Sequence, residues 1–426
     1  MIRLGNSQRK WFATVLTGLI CAGSARALAA DWPQWLGPQR NGITQEKGLL
    51  KSWPEGGPKL LWKISKLGSG YSTPVVVGDR LYVLANEGLD SESVVALAAR
   101  DGQRIWSVRL GKVGNPDQNP SYPAARSTPT VDGDVLYALG SDGDLACLEL
   151  PRGAVRWKKS LRTDFIGKPG TWAYAESPLI DGDALICTPG GSDSTIVALN
   201  KQNGAVIWKC AVPSEDAAYT SVIKTEAGGV KQYVQFLQKG VVGVDAKTGK
   251  LLWRYDKTAK GSSANIPTPV ADGEYVFNST GQGGGAIIRL KSNAGAFEVE
   301  ELHFSKQLPT AIGGAVKVGD YLYGTSGTDL LCIEFKTGAV KWANPSVGMA
   351  SLLSSDGCLY LHSEKGEVAL VEASPAGYQE RGRFTPPDQP NRGSAKAWAY
   401  PIVANGRLYL RDLDMLWCYD IAATRN

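Results

Sequence analysis

The chain has 426 residues, with 46 Lys and Arg against 41 Asp and Glu; its 50 Gly and 23 Pro favour many short strands over a helical bundle. Four basic residues lie in the first thirty positions, which contain no acidic residue, so 42 basic residues balance 41 acidic ones in the rest. A body this close to neutral excludes binding of nucleic acid through a net basic surface, and it disfavours attachment to membranes by a polybasic patch.

Residues 1–30 are typical of a secretory signal peptide. Basic residues precede an apolar stretch at 12–23, and small residues follow at 27–29. Ile20 stands before Cys21, where lipoprotein signals need a small residue, so no lipid attachment is predicted. The sequence therefore predicts an exported protein, periplasmic or secreted, with no transmembrane anchor after cleavage.

A segment rich in Trp, Pro and Gly follows at 31–59, and it contains Trp32, Trp35 and Trp53. Exposed tryptophan is costly, so we expect this segment to cross the body of the protein as a strap rather than to dock a partner. The remaining residues, 60–426, are predicted to form a single domain.

One unit recurs along that domain: two apolar strands joined by a Gly/Asp turn, a third strand, and then Gly-x-x-x-Trp. The tryptophans that end the units are Trp62, Trp106, Trp157, Trp208, Trp253 and Trp342. A residue that recurs at a fixed distance from Gly is predicted to pack neighbouring units together rather than to bind a ligand. Phe304 and Phe384 are expected to take the same place in two divergent units.

Tight turns such as 78–79, 133–134 and 406–407 mark eight inner hairpins, which predicts eight blades. The last unit ends after its third strand at 416–421, whereas the strand around Trp62 has no blade before it. We therefore predict an all-β, eight-bladed β-propeller of four-stranded antiparallel blades, closed by the N-terminal strand joining the C-terminal blade. An open solenoid is the alternative, but it would leave the Trp62 strand unpaired.

The repeat Ala-Leu-x-x-x-x-Gly-x-x-x-Trp, as at Ala96 to Trp106, resembles the tryptophan-docking repeat of PQQ-binding-like (quinoprotein-type) and BamB-like propellers. The segments 31–38 and 398–401 are similar to those of exported members of this group. The resemblance implies the propeller fold and a packing role for the tryptophans. Relatives carry His near the positions of Ala311 and Tyr400, and this chain lacks it there.

Few residues suggest catalysis. The two histidines, His303 and His362, lie in strand patterns, and no Gly-x-Ser-x-Gly elbow occurs. The glycine run at 281–285 lacks the Lys and Ser/Thr of a phosphate loop. Six cysteines remain after signal cleavage, and their apolar surroundings indicate buried thiols.

The loops that lead into the innermost strands are the predicted location of any ligand site, at the mouth of the central channel. The candidate residues are Tyr71, Arg126, Trp172, Tyr174, Glu176, Tyr219, Asn265, Trp398 and Tyr400. Either these side chains fill the channel and pair with one another, for example Glu176 with Arg126, or they bind a planar ligand.

The first functional hypothesis is an exported, non-catalytic binding or scaffolding module, similar to BamB in general role. It would be a monomer that binds a protein partner in the cell envelope and needs no metal or cofactor. The alternative, implied by the resemblance, is a dehydrogenase of alcohols or sugars that depends on PQQ and calcium. Trp172 or Trp398 would then stack on the quinone, Arg126 would polarise it, and Glu176 with Asn265 would hold Ca²⁺.

Against the alternative, an adjacent Cys-Cys pair that such dehydrogenases carry is absent, and Gln282 replaces a calcium-binding Asn.

Overall fold

The computed structural model describes residues 1–2, 30–117, 124–293 and 295–423. The predicted signal peptide lies outside the described residues except at its two ends, and so does Cys21. Among the described residues, no helix is both long and apolar enough to cross a membrane.

The regular secondary structure of the described residues consists of β-strands and two short helical turns. Before the first blade come β1 (Ile43–Thr44) and β2 (Lys59–Ile64). Blades 1 and 2 contain β3 (Val75–Val77), β4 (Arg80–Glu87), β5 (Ser91–Ala98), β6 (Arg104–Gly111), β7 (Thr130–Asp132), β8 (Val135–Leu139), β9 (Asp144–Glu149) and β10 (Val155–Ser160). Blades 3 and 4 contain β11 (Leu179–Asp181), β12 (Ala184–Cys187), β13 (Ile196–Asn200), β14 (Val206–Cys210), β15 (Ile223–Ala227), β16 (Val230–Phe236), β17 (Val241–Asp245) and β18 (Leu251–Tyr255).

The second half of the ring has the same plan. Blades 5 and 6 contain β19 (Val270–Asp272), β20 (Tyr275–Thr280), β21 (Gly284–Asn293), β22 (Ala296–Ser305), β23 (Ala315–Val318), β24 (Tyr321–Ser326), β25 (Asp329–Glu334) and β26 (Val340–Pro345). Blades 7 and 8 contain β27 (Ala350–Ser355), β28 (Cys358–Ser363), β29 (Val368–Glu372), β30 (Glu380–Phe384), β31 (Ile402–Ala404), β32 (Arg407–Asp412) and β33 (Met415–Asp420). The helical turns are α1 (Leu161–Asp164), between blades 2 and 3, and a 3-10 turn at Lys257–Ala259.

The eight sheets of the described residues form the predicted eight-bladed propeller. In the first six blades, four consecutive strands pair antiparallel in sequence order. Blade 8 takes its outer strand from the start of the domain, because β2 pairs antiparallel with β33 and places Trp62 opposite Cys418. This is the pairing predicted from the sequence. It supplies blade 8 with the fourth strand that the end of the chain does not provide.

Blade 7 differs from the sequence expectation, because it has five strands. The short strand β1 adds to the sheet in parallel with β27, with Ile43 opposite Ser354. The extra strand belongs to the segment predicted as a strap.

The strap crosses one face of the ring, the face that carries the turn between the first and second strands of each blade. Asp31 accepts a hydrogen bond from the backbone of Gly78 in the blade 1 turn, and Glu46 accepts one from Gly406 in the blade 8 turn. Between them, Trp32 pairs with Val76 and is buried. We call this side of the ring the strap face, and the opposite side, where the innermost strands begin, the loop face.

The core lies between neighbouring blades, and the repeated tryptophans connect them. In five units the indole N–H donates to a backbone carbonyl of the next blade, as from Trp106 to Leu150 at 3.0 Å and from Trp342 to Ser374 at 2.9 Å. The same pattern joins Trp62 to Ala99, Trp157 to Lys201, and Trp208 to Ala246. Trp253 differs, because its indole donates to Gln232 at 2.6 Å within its own blade.

The expectation for Phe304 and Phe384 was wrong. A bulge in blade 5 brings His303 to the tryptophan position, opposite Ile287 and against Gly338 of blade 6. In blade 7 the equivalent position is Gly382, opposite Leu370. The bulge shifts the register of each outer strand, and the sequence pattern does not show where it falls.

Candidate ligand cavity at the channel mouth

A cavity of about 280 Å³ opens on the loop face, at the mouth of the channel. Its lining residues are Trp35, Tyr71, Arg126, Trp172, Ala175, Tyr219, Ser221, Ala264, Ile266, Ile312, Trp398 and Tyr400. Six of them are among the nine candidates that the sequence placed at the channel mouth. They come together because the loop before each innermost strand ends at the same face of the ring.

The strap supplies the floor of this cavity, which the sequence did not predict. Trp35 packs edge-on against Tyr400, with ring centroids 4.7 Å apart. Its indole N–H donates to the Thr268 hydroxyl at 3.3 Å. Thr268 precedes the innermost strand of blade 5, whereas the nearby strap residue Trp32 pairs with blade 1, on the other side of the ring. The sequence predicted Trp35 as a strap residue but not as a cavity residue, because a contact between residues 233 positions apart leaves no local pattern.

The aromatic walls are fixed by contacts with the protein. Tyr71 packs against Trp398 at 5.0 Å between centroids, and Trp172 packs against Tyr219 at 5.8 Å. The Tyr400 hydroxyl donates to the carbonyl of Gly313 at 2.9 Å. The indole of Trp398 donates to Glu364 at 3.0 Å. These contacts orient the rings so that their faces and edges border the cavity.

Arg126 is the charged residue among the described residues that line the cavity. Its guanidinium lies over the ring of Tyr71, 5.3 Å from the centroid. Burial lowers the pKa of Arg126, and the charges of Tyr71, Tyr219 and Glu92 oppose that shift. Glu92 itself bonds with the backbone and hydroxyl of Ser141, and burial raises its pKa to about 7.

Three predicted site residues do not line the cavity: Tyr174, Glu176 and Asn265. The Tyr174 hydroxyl donates to the carbonyl of Pro189, and the Asn265 amide donates to the carbonyls of Leu237 and Gln238. All three side chains are buried, so this part of the predicted set packs inside the ring.

Glu176 lies in a polar cluster between blades 3 and 4, away from the position expected beside Arg126. It accepts hydrogen bonds from the Thr188 backbone at 2.6 Å and from Gln235 at 3.3 Å. Burial raises its pKa to about 8, while bonds from Thr188 and the charge of Arg40 oppose that shift.

This arrangement does not fit the calcium and quinone set that the resemblance implied. Calcium takes several oxygen ligands, above all carboxylates, and no carboxylate is among the described residues lining the cavity. The Glu176 carboxyl accepts a bond from the backbone of Thr188, and Gln282 accepts one from the backbone of Ser263. The Asn265 amide nitrogen donates to backbone carbonyls, and Asn265 does not line the cavity. The described residues contain no group of three or more His, Cys, Asp or Glu side chains that could hold a metal ion.

The remaining reactive side chains have structural positions. The six cysteines of the described residues are all buried free thiols, as predicted. His362 is buried, and its Nδ1 lies 3.1 Å from the carbonyl of Ala399, beside the cavity residue Tyr400. Burial lowers the pKa of His362, which favours the neutral ring.

Comparison with known proteins agrees with the fold. The family model described as outer membrane protein assembly factor BamB matches residues 43–112 and 90–344. The chain belongs to this family. The family match covers most of the repeats, from the strap strand β1 to the outer strand of blade 6.

Individual relatives and solved structures are more distant. The BamB of Burkholderia pseudomallei is 23% identical over 376 residues, which cover 82% of this chain and 83% of that protein. The BamB of Salmonella typhimurium is 28% identical over 123 residues, so this match spans only 28% of either protein.

Among solved structures, BamB from Moraxella catarrhalis superposes with a TM-score of 0.59 at 16% identity, covering 86% of this chain and 98% of that one. A quinohemoprotein alcohol dehydrogenase from Pseudomonas putida HK5 superposes with a TM-score of 0.65 at 13% identity, covering 93% and 81%. At these identities the superpositions establish the propeller fold alone.

Proposed function

We propose that the protein is an exported, non-catalytic scaffold that acts as a monomer and binds a protein partner in the cell envelope through its loop face. The family name, outer membrane protein assembly factor, suggests that the partner takes part in assembling outer-membrane proteins. The strap occupies the opposite face, which leaves the loop face for binding.

One residue on the loop face carries the proposal. Ile166 follows α1, in the connection from blade 2 to blade 3; it is 73% exposed and has a φ of 50°. A β-branched residue in this left-handed region costs about 1 kcal/mol or more, and Gly or Asn would cost less. Residues held in strained backbone conformations cluster at functional sites, and this observation supports a binding role for the Ile166 side chain.

Two further apolar residues are exposed on the same face. Leu89 lies in the turn between β4 and β5, and Met349 lies directly before β27. Since successive turns of a blade alternate between the two faces, both residues project on the side of Ile166. Together with the cavity mouth they give the loop face separate apolar contacts for a partner.

The test compares Ile166→Asn with Ile207→Asn. Ile207 is also exposed, at 51%, but it lies on the outer strand β14 at the rim of the ring. Full-length protein would be immobilised and incubated with detergent-solubilised outer membranes from the same organism, and retained proteins quantified by mass spectrometry. We expect outer-membrane assembly proteins to be retained by wild type and Ile207→Asn, and to be depleted at least fivefold by Ile166→Asn.

The same variant should be more stable to unfolding by about 1 kcal/mol, because Asn accepts the left-handed conformation. Unchanged retention by Ile166→Asn, or no assembly protein retained by wild type, would contradict the proposal. Retention of PQQ with Ca²⁺ after desalting, with dye-linked oxidation of alcohols or sugars, would instead support the dehydrogenase alternative.

A further inference from the structure

The aromatic cavity has a chemical character of its own, independent of any protein partner on the loop face. We propose that it binds a small planar aromatic molecule carrying one carboxylate. The size of the cavity, the rigidity of its walls and the position of its charge together select such a ligand.

The size of the cavity selects a small ligand. Its volume of about 280 Å³ is just below the range of about 300–1,000 Å³ found for drug-sized ligands. Three indole rings and three phenol rings border it, from Trp35, Trp172, Trp398, Tyr71, Tyr219 and Tyr400. Ring faces and edges attract another flat ring through offset or edge-on contacts, so the lining favours a planar aromatic body.

The walls are fixed before any ligand arrives. The indoles of Trp35 and Trp398 and the hydroxyl of Tyr400 donate to protein acceptors, at 3.3, 3.0 and 2.9 Å. A ligand therefore does not need to order these rings, which lowers the entropic cost of binding. Because these three donors already have acceptors within the protein, the ligand does not need to supply acceptors for them.

Arg126 sets the charge of the ligand. A guanidinium matches a carboxylate with two parallel hydrogen bonds, and such charge-assisted bonds are roughly twice as strong as neutral ones. The charge of Glu92 acts on Arg126, and the Glu92 carboxyl is hydrogen-bonded to Ser141 in blade 2. Arg126 is the one charged side chain among the described lining residues, and most of the others present aromatic or aliphatic surface, so the cavity matches a ligand with one anionic group on an apolar body.

The test uses 2-naphthoate and its neutral analogue 2-naphthylmethanol, titrated into the full-length protein by calorimetry. Wild type should bind the acid at least about tenfold more tightly than the alcohol, which is the least that one charge-assisted bond provides. Arg126→Gln should reduce this preference to below about twofold while the affinity for the alcohol stays within about threefold. Binding of the alcohol by the variant shows that its cavity is folded.

Arg162→Gln is the matched control. Arg162 also lies over a tyrosine ring, that of Tyr174 at 5.9 Å, but it is outside the cavity. It should keep the full preference for 2-naphthoate. If Arg126→Gln does not fold, Arg126→Lys keeps the charge without the paired hydrogen bonds and should show an intermediate preference.

Three results would overturn the proposal: no saturable binding of 2-naphthoate by wild type, equal affinity for acid and alcohol, or an unchanged preference in the Arg126 variants. None of these measurements depends on a protein partner, so the ligand proposal and the scaffold proposal can fail separately.

Discussion

The buried carboxyl of Glu176 makes the stability of the protein depend on pH. Its pKa rises from an ordinary 4.5 to about 8, chiefly because burial disfavours the charged form. The folded state therefore keeps the proton at pH values where the unfolded chain has released it. The stability that this proton contributes is complete below about pH 4.5 and is lost as the pH rises through 8.

We expect Glu176→Gln, which mimics the protonated group, to be more stable than wild type at pH 8.5 by at least about 1 kcal/mol. At pH 5 the two proteins should differ little. Urea unfolding followed by tryptophan fluorescence at both pH values measures the difference. Glu298→Gln, on the exposed outer strand β22, is the control and should change neither value. An equal effect of Glu176→Gln at both pH values would contradict the assignment.

At the scale of single residues, the sequence correctly predicted the loops that form the site. It was less successful in predicting the direction in which each side chain points. In the loop at 172–174, Trp172 lines the cavity and Tyr174 is buried inside the ring. Between them Ala173 has a φ of 68°, a turn that no local residue pattern announces. Side chains two positions apart therefore reach different surroundings.

At the scale of single strands, the strap completes blade 7. Gly382 stands where six of the other blades have a docking tryptophan, and Trp53 of the strap fills the space beside it. Trp53 lies 6.0 Å from Tyr360 with a 57° angle between the rings. The pair of Trp342 and Tyr323 in blade 6 has nearly the same geometry, at 6.1 Å and 51°.

Trp53→Ala should therefore destabilise the protein about as much as Trp342→Ala, by about 3 kcal/mol or more, since each removes a large packed aromatic ring. Chemical unfolding of the two variants side by side measures both losses. The cavity-wall variant Trp172→Ala should lose less, because part of that ring borders empty space. A loss below about 1 kcal/mol for Trp53→Ala would show that the strap packs loosely on blade 7.

The repeat period and the turn residues predicted the number of blades, because those patterns are local and occur once per blade. The docking residue of blade 7 could not be predicted in the same way. Its aromatic ring comes from a segment more than 300 residues earlier, and Phe384 was the nearest aromatic in the strand itself. When a distant segment supplies the docking ring, the fixed spacing between Gly and Trp within the repeat is lost, so the sequence pattern cannot show it.

At the scale of the whole molecule, the strap connects blades that are not neighbours in sequence. The buried guanidinium of Arg40 donates to the carbonyls of Ser177 and Pro178 in blade 3, at 2.9 and 3.1 Å. It also donates to Val222 in blade 4, at 3.0 Å. Burial lowers the pKa of Arg40 to about 10, which leaves it charged at neutral pH. One side chain thus holds two blades together from the channel side.

Arg40→Met should lower the free energy of unfolding by about 2 kcal/mol or more, because it removes the donor of the buried Ser177 and Val222 carbonyls. The Pro178 carbonyl keeps a second donor, the hydroxyl of Thr130. Arg156→Met is the control: Arg156 forms exposed ion pairs with Asp134 and Glu149 on the outside of blade 2, and such pairs contribute about 1 kcal/mol or less. Urea unfolding of the two variants measures the difference. If the strap and the ring unfold as one unit, Arg40→Met shifts a single transition to lower urea. An early separate transition, in which part of the tryptophan fluorescence changes before the rest, would show instead that the strap can detach while the ring stays folded.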